Sequence, residues 1–310
     1  MSTILITGGA GFQGSHLAEH FHKKGHEITI LNTFSDRAKV LLGQLNLPWH
    51  CVWGSITDRE LVEKTIRDHD VVFHLAARIN VDESIKDPEA FLATNVYGTY
   101  NVLEAVKKYD NRLIFASSCE VYGAPTEHIL VNEKTELRPH SPYAASKAAA
   151  DRLCFSYYKT YGINVTIVRP FNIYGERQKE GPGGAAVAIF VRKSLQNEPI
   201  IIFGDGSQTR DYLNIDDLVR AYDMVFQHKE LAGETINFGT GKETSIREIA
   251  EYVSKKLNTN IEYKESRLGE VKSFVAADIT KARSLGFEPR VNIWDGIDRY
   301  IEWRKQQSLV

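Results

Sequence analysis

Thr7-Gly8-Gly9-Ala10-Gly11-Phe12-Gln13-Gly14 is the stretch that decides how this chain folds. An apolar run at residues 4–7 leads into it, and residues 15–24 leave it with helical spacing, Leu17, Ala18 and Phe21 falling on one face. Gly25 then stops the helix, and residues 27–31 alternate with β-branched side chains as a second strand. Strand, glycine turn, helix and strand make one βαβ unit.

The same alternation runs on. Residues 49–53, 71–75, 113–117 and 164–169 read as strands, and 58–68, 88–109 and 143–161 as helices. Strands alternating with helices of this size predict an α/β fold, a doubly wound parallel Rossmann sheet. After Pro170 the texture changes. Gly181-Pro182-Gly183-Gly184 reads as a flexible joint, followed by helices at 185–196, 216–227 and 245–256 and strands at 199–203 and 234–238. The expectation is a dinucleotide-binding domain at 1–170 and a smaller C-terminal α/β lobe for substrate at 171–310. The two are partly interleaved, with one strand or helix returning to the main sheet. Ligands of such sheets sit at the carboxyl ends of the strands, so the loops there are where chemistry is sought.

Composition narrows the function classes. The 310 residues are 43% hydrophobic and 25% charged, ordinary values that argue against a disordered or fibrous chain. A formal net charge of −2 gives no electrostatic footprint for nucleic acid or an anionic membrane, so neither is an expected partner. Cys51, Cys119 and Cys154 are odd in number and widely spaced, which suits neither a disulfide framework nor a metal site. A reducing cytoplasm is the expected location. The opening residues lack the basic and apolar regions of a signal peptide, and no window is apolar enough to span a bilayer.

The glycines give the first functional reading. Gly8, Gly11 and Gly14 allow a tight turn and close backbone approach, and the helix opening at Phe12 and Gln13 aims amide donors at a pyrophosphate. A glycine triplet alone also occurs in ordinary turns. Its place directly after a strand and before a helix points to a dinucleotide. The end of the second strand reads the ribose, where an acid selects NAD and a nearby arginine suits NADP. Here Asn32 stands there, with Arg37 further on. Asn32 still bonds a hydroxyl but does not repel a 2′-phosphate, so NAD is expected and NADP stays open. Ser55 and Ile56 form the loop expected to meet the adenine, without a carboxylate.

Tyr143-Ala144-Ala145-Ser146-Lys147 opens a helix, and residues four apart share its face. An ammonium there is expected to lower the phenol pKa, so that Tyr143 exchanges a proton with a sugar or alcohol oxygen as hydride moves. With these residues the chain resembles the extended short-chain dehydrogenase/reductase family, in particular its NAD-dependent nucleotide-sugar epimerases and dehydratases. The resemblance covers nearly the whole chain. It includes His74-Leu75-Ala76-Ala77, Asn95-Val96-Tyr97-Gly98-Thr99, Ser117-Ser118-Cys119-Glu120-Val121-Tyr122-Gly123 and Arg169-Pro170-Phe171-Asn172-Ile173-Tyr174-Gly175. Later come Gly204-Asp205-Gly206-Ser207-Gln208-Thr209-Arg210-Asp211-Tyr212 and Arg267-Leu268-Gly269-Glu270. It implies that Ser118 hydrogen-bonds the sugar O4, Tyr143 is the acid–base and Lys147 holds the nicotinamide ribose. Leu75, Ala76, Ala77 and Asn95 would line the cofactor. Ser84, Asn172, Arg210 and Arg267 would hold the nucleotide-diphosphate sugar, two guanidinium groups suiting a diphosphate. Asn32, Ser55 and Leu268 depart from the family pattern.

The family oxidises a sugar hydroxyl, usually at C4, and the ketone acidifies C5–H. An epimerase needs only the ketone to turn and the hydride to return. A 4,6- or 5,6-dehydratase also needs a base at C5 and an acid for the departing C6 hydroxyl. Glu120 matches the base position, and Cys119 replaces the usual acid; a thiol of ordinary pKa can donate a proton. Ser118-Cys119-Glu120 also resembles the UDP-N-acetylglucosamine 5,6-dehydratase of tunicamycin biosynthesis. If the strand runs through this segment, Cys119 faces away from Ser118 and Glu120. The expected function is therefore an NAD-dependent nucleotide-sugar dehydratase. A nucleotide-sugar 4-epimerase is the alternative, and a UDP-glucuronate decarboxylase a further one that needs a cation the sequence does not reveal. A non-catalytic dinucleotide-binding module would have no use for Tyr143 with Lys147. The resemblance also implies a homodimer through the helices at 88–109 and 143–161.

Overall fold

The computed structural model describes residues 1–45, 47–48, 50–181, 184–266 and 272–307. Seven strands build the main sheet: β1 (Thr3–Thr7), β2 (Glu27–Asn32), β3 (His50–Trp53), β4 (Val71–His74), β5 (Arg112–Ala116), β6 (Val165–Pro170) and β7 (Thr235–Phe238). They lie in the order β7-β6-β5-β4-β1-β2-β3. The pairings are parallel from β6 through β3, and β7 keeps the same sense beside β6. The chain winds outward one way through β2 and β3 and the other way through β4 and β5. The switch point therefore lies between β1 and β4, directly under the glycine turn. Ile4, Leu5 and Ile6 of β1 are all buried, as a central strand covered on both faces requires.

The chain divides into two compact units. The first comprises Met1–Val121, Pro139–Arg169 and Val219–Ile236; the second Tyr122–Arg138, Pro170–Leu218 and Asn237–Val310. The sequence reading placed its single break at 170, and two exchanged segments refine it. Most of the helix Ile215–Gln227 and the first half of β7 return to the first unit. Residues 122–138 leave it, because Ile129–Val131 pairs with the strand Phe274–Ala277 of the second unit.

The first unit is packed on one side by Leu5, Val72, Val102, Leu113, Phe115 and Ile167. The rings of Phe21, Phe73 and Phe226 pack against one another within the same unit, Phe73 and Phe226 stacked and Phe21 tilted against both. The second unit has its own core, in which Val187 and Val191 of the helix Ala186–Leu195 meet Ile200, Ile202, Ile249 and Val253. Among the described residues no helix is long and apolar enough to cross a membrane.

One expected helix is not continuous. Residues 88–109 form an α-helix Pro88–Phe91, a π-helical turn Leu92–Tyr97 and an α-helix Gly98–Tyr109. Within the wide turn Asn95 is 2% exposed, and its side chain binds inside the protein. A single turn of this kind is too short for hydropathy to separate from the α-helices on either side.

Candidate active site

The glycine turn is built for a phosphate. Gly8 has φ +74°, and a side chain there would meet the Ala76 amide nitrogen at 2.8 Å. At Gly14 a β-carbon would run into the Gly8 carbonyl and the Gly9 backbone. The helix Phe12–Lys23 that follows has no side-chain cap and no acid in its first turn. Its leading amides, at Phe12, Gln13 and Gly14, therefore face out with the positive end of the helix dipole behind them. These residues fit the pyrophosphate of a dinucleotide.

Asn32 ends β2 beside this turn. Its Oδ1 accepts from the Ala10 amide at 3.2 Å, and its Nδ2 donates to the Thr33 carbonyl at 2.8 Å. The amide thus braces the turn while Oδ1 keeps a lone pair for a ribose hydroxyl. Ser55 accepts from the Thr57 amide at 3.1 Å in a tight local turn. Ile56 is buried at 4% exposure and offers only backbone to a base. Leu75, Ala76 and Ala77 follow β4 as half-buried loop, and the Leu75 and Ala76 amides bond Thr7 at 3.1 and 3.2 Å.

Strand β5 stops at Ala116, and Cys119–Tyr122 is a 3-10 turn. The strict two-sided alternation considered above therefore does not apply at Ser118-Cys119-Glu120. All three act on the Tyr143 phenol, Ser118 by a hydrogen bond and Glu120 and Cys119 by charge. Burial pushes that phenol up; a hydrogen bond from Ser118 opposes the rise, and Glu120 and Cys119 add to it. Ser118 also accepts from the Glu120 amide at 3.2 Å, which fixes the turn.

Ser141 caps the helix Pro142–Tyr161, accepting from the Ala144 amide at 3.1 Å, and Pro142 starts it. Tyr143 and Lys147 then fall on one face, 9% and 5% exposed. Lys147 donates to the Ala116 carbonyl at the end of β5, and its nitrogen lies 4.7 Å from the Phe115 ring centre. Burial lowers its pKa to about 8, with Cys154 and Asp151 opposing. The expected lowering of the Tyr143 phenol by this ammonium is not found. Lys147 is held on the Ala116 carbonyl, and desolvation governs the phenol.

Two residues assigned to ligands turn inward. The Asn95 Oδ1 accepts from the Arg78 amide at 2.8 Å, and its Nδ2 donates to the Arg78 carbonyl and to Ser146 Oγ, both at 2.9 Å. Its amide is consumed by the protein, which a sequence motif cannot show. Ser84 is fully buried in the helix Val81–Lys86, and its hydroxyl donates to the Val81 carbonyl at 2.6 Å.

Arg78 is the residue the sequence reading missed. It is exposed, and its guanidinium lies 5.6 Å from the Phe91 ring centre. The Phe91 ring meets the Tyr143 ring edge-on at 6.4 Å. The sequence signal was available, a basic residue directly after His74-Leu75-Ala76-Ala77, but only the packing through Phe91 gives it meaning.

In the second unit, Asn172 opens the strand Asn172–Tyr174, which pairs in parallel with Tyr212–Asn214. Its Nδ2 is buried without a hydrogen-bond partner. Its amide donates to the Asp211 carbonyl at 3.0 Å. Asp211 is the residue after Arg210, so Asn172 and Arg210 are held close. The half-buried Arg210 spends Nη1 on the Thr209 and Ser273 carbonyls, at 2.7 and 3.1 Å. Between the helix Ala186–Leu195 and the strand Ile200–Phe203 lies a cavity of about 320 Å³, walled by Ile189, Phe190, Ile201 and Phe203 and edged by Lys193 and Lys264. Arg267, with Leu268 and the joint residues Pro182 and Gly183, lies outside the described residues.

Comparison with known proteins gives the family. The model of the NAD dependent epimerase/dehydratase family matches residues 4–239. The chain is 38% identical to a Methanocaldococcus jannaschii protein described as a candidate UDP-glucose 4-epimerase, over 98% of this chain and 99% of that one. It is 36% identical to a UDP-N-acetyl-alpha-D-glucosaminuronate decarboxylase of Bacillus cytotoxicus, over 97% of each. Its fold is similar to the crystal structure of DesIV, a dTDP-glucose 4,6-dehydratase of Streptomyces venezuelae with NAD and TYD bound. The TM-score is 0.90 at 30% identity, covering 98% of this chain and 97% of that one.

Proposed function

We propose that this chain, which belongs to the NAD dependent epimerase/dehydratase family, is a nucleotide-sugar dehydratase that oxidises its sugar at C4 and removes the C5 hydrogen with Glu120. The family is NAD-dependent, and bound NAD supplies the hydride acceptor. The observation that carries the reading is the 3-10 turn after β5. What supports it is that Ser118 hydrogen-bonds the Tyr143 phenol, while the Glu120 carboxylate and the Cys119 thiol act electrostatically on the same phenol. An epimerase needs the first and has no work for the other two.

Each residue then has a task. Tyr143 takes the C4 hydroxyl proton, with Ser118 holding that oxygen. Lys147, anchored on the Ala116 carbonyl, keeps a positive charge one helical turn from the phenol. Once C4 is a ketone, Glu120 accepts the acidified C5 proton and Cys119 gives a proton to the departing C6 hydroxyl, which leaves as water; the hydride taken from C4 then returns from NADH to the sugar, so no net oxidation remains. In the second unit, the orphaned Asn172 amide and Arg210 suit the diphosphate, and the apolar cavity beside Phe190 and Phe203 suits a flat nucleobase. The same reading includes a homodimer through the helices at 88–109 and 143–161, where Leu92, Tyr97 and Tyr161 are exposed; sedimentation velocity tests it.

Arg78 favours a second reading, decarboxylation of a nucleotide-linked uronic acid. That reaction needs a cation for the C6 carboxylate, and Arg78 lies one ring away from Tyr143. Incubating the protein and NAD with dTDP-glucose, UDP-N-acetylglucosamine or UDP-glucuronate, followed by mass spectrometry, separates the readings. Loss of water supports the dehydratase, loss of carbon dioxide from the uronate the decarboxylase, and an epimer of unchanged mass the epimerase. A decarboxylase would lose its rate on Arg78→Gln, and a dehydratase on Glu120→Gln.

A further inference from the structure

Behind the glycine turn and the catalytic helix lies a buried polar relay centred on His74. Its proton directions can be worked out link by link. Thr99 Oγ1 donates to the Asn95 carbonyl at 2.6 Å, so toward His74 Nε2, 3.0 Å away, it can only accept. Nε2 therefore carries the ring hydrogen. Nδ1 is then an acceptor, and Thr7 Oγ1, 2.7 Å away, donates to it. The same Thr7 oxygen receives the Ala76 amide at 3.2 Å. Every hydrogen in the series has one destination. His74 is 1% exposed, and burial, reinforced by the Lys147 charge, lowers its pKa to about 3. The imidazole is therefore neutral and its tautomer fixed at any working pH.

The relay has two ends. One is the turn and loop made by Thr7 and Ala76, against which Gly8 packs without room for a β-carbon. The other is the π-helical turn at Asn95, whose amide donates to Ser146 Oγ at 2.9 Å; Ser146 in turn donates to the Tyr143 carbonyl at 2.7 Å. We propose that His74 is a positioning residue, which sets the register between the cofactor-binding turn and the helix turn that carries Tyr143 and Lys147. It touches no reacting atom. The proposal rests only on hydride transfer at Tyr143, which the dehydratase, epimerase and decarboxylase readings share.

His74→Phe keeps an aromatic ring and deletes both hydrogen bonds, whereas His74→Gln keeps a donor and an acceptor. The full chain carrying each change is titrated with NAD by calorimetry, and its single-turnover reduction of NAD is followed by absorbance with the nucleotide sugars named above. Phe at 74 is expected to weaken NAD binding about tenfold or more, with Gln within about threefold of the parent, as loss of one or two buried hydrogen bonds implies. Turnover falls likewise, with little change in the KM for the sugar. Val253→Ala, which cuts only the core of the second unit, controls for stability and must leave NAD binding unchanged. NAD binding by His74→Phe within twofold of the parent would overturn the proposal, as would a failure of folded His74→Gln to restore it. If no sugar reduces NAD, the proposed function fails, while the calorimetric result still decides the role of His74.

Discussion

Arg169 and Asp151 face each other in the protein interior at 2.9 Å, at 1% and 0% exposure, and Asp151 lies one helical turn beyond Lys147. Burial alone would raise the Asp151 carboxyl. The Arg169 guanidinium and the Ser117 hydroxyl, which donates at 2.6 Å, hold it below its ordinary value. This ion pair braces the site, because Ser117 leads directly into Ser118 and the Asp151 carboxylate acts on Lys147, opposing the lowering of its pKa.

Asp151→Asn takes from the buried Arg169 the carboxylate 2.9 Å away, and removing one partner of such a pair costs about 3–5 kcal/mol. Urea denaturation is expected to show this loss. The double change Asp151→Asn with Arg169→Met is expected to recover part of it. A single variant as stable as the parent would show that the pair does not hold the site together.

Tyr143→Phe removes the proton carrier and nothing else from the buried face. Hydride transfer is expected to fall about 10²–10⁴-fold, the range for loss of a general acid–base. NAD binding, measured by calorimetry, is expected to stay within a few-fold. Preserved turnover would remove Tyr143 from the chemistry.

Lys147 gives a pH signature in stability. Its folded pKa, about 8, lies below the ordinary 10.5, so between these values the unfolded chain binds the proton that the fold has released. Stability from this group therefore rises with pH, by at most about 1.4 kcal/mol per unit. Tyr143 has the opposite sign, since its raised pKa costs stability above pH 10, its ordinary value. The window is thus about pH 8 to 10. Across it the parent is expected to gain stability relative to Lys147→Met in urea melts. Parallel curves would show that Lys147 is not desolvated.

His74 gives the acid counterpart. Its folded pKa, about 3, lies below the ordinary 6.5, so as pH falls through that interval the unfolded chain takes up a proton the fold refuses. The parent is expected to lose stability relative to His74→Gln from about pH 6.5 downward, and to match its pH slope above it. Denaturant midpoints across pH 4 to 8 check this.

The residues that read clearly in the sequence are those whose role follows from local spacing. The glycine turn, Tyr143 with Lys147, and the β1 run Ile4-Leu5-Ile6 each announce themselves within one strand or one helical turn. Other features depend on what the chain meets far away. The π-helical turn at Leu92–Tyr97 spans only six residues, too few for hydropathy to mark, and its inward-facing Asn95 is seen only in the hydrogen bonds. Ser118-Cys119-Glu120 was ambiguous because its strand ends at Ala116, one or two residues earlier than periodicity indicates. Arg78 looks like any surface arginine until Phe91 ties it to Tyr143. Residues 122–138 change units because a three-residue strand pairs with one far along the chain.

The fate of the oxidised sugar is the central claim, and one measurement addresses it. Full-length protein with NAD is incubated in deuterated water with dTDP-glucose and with UDP-N-acetylglucosamine, in parallel with Glu120→Gln, and the products are weighed by mass spectrometry. The account predicts that one of these sugars loses a molecule of water, and that Glu120→Gln slows this at least tenfold, as loss of a general base requires. A product of unchanged elemental composition formed equally fast by both proteins would contradict it and make Glu120 a bystander.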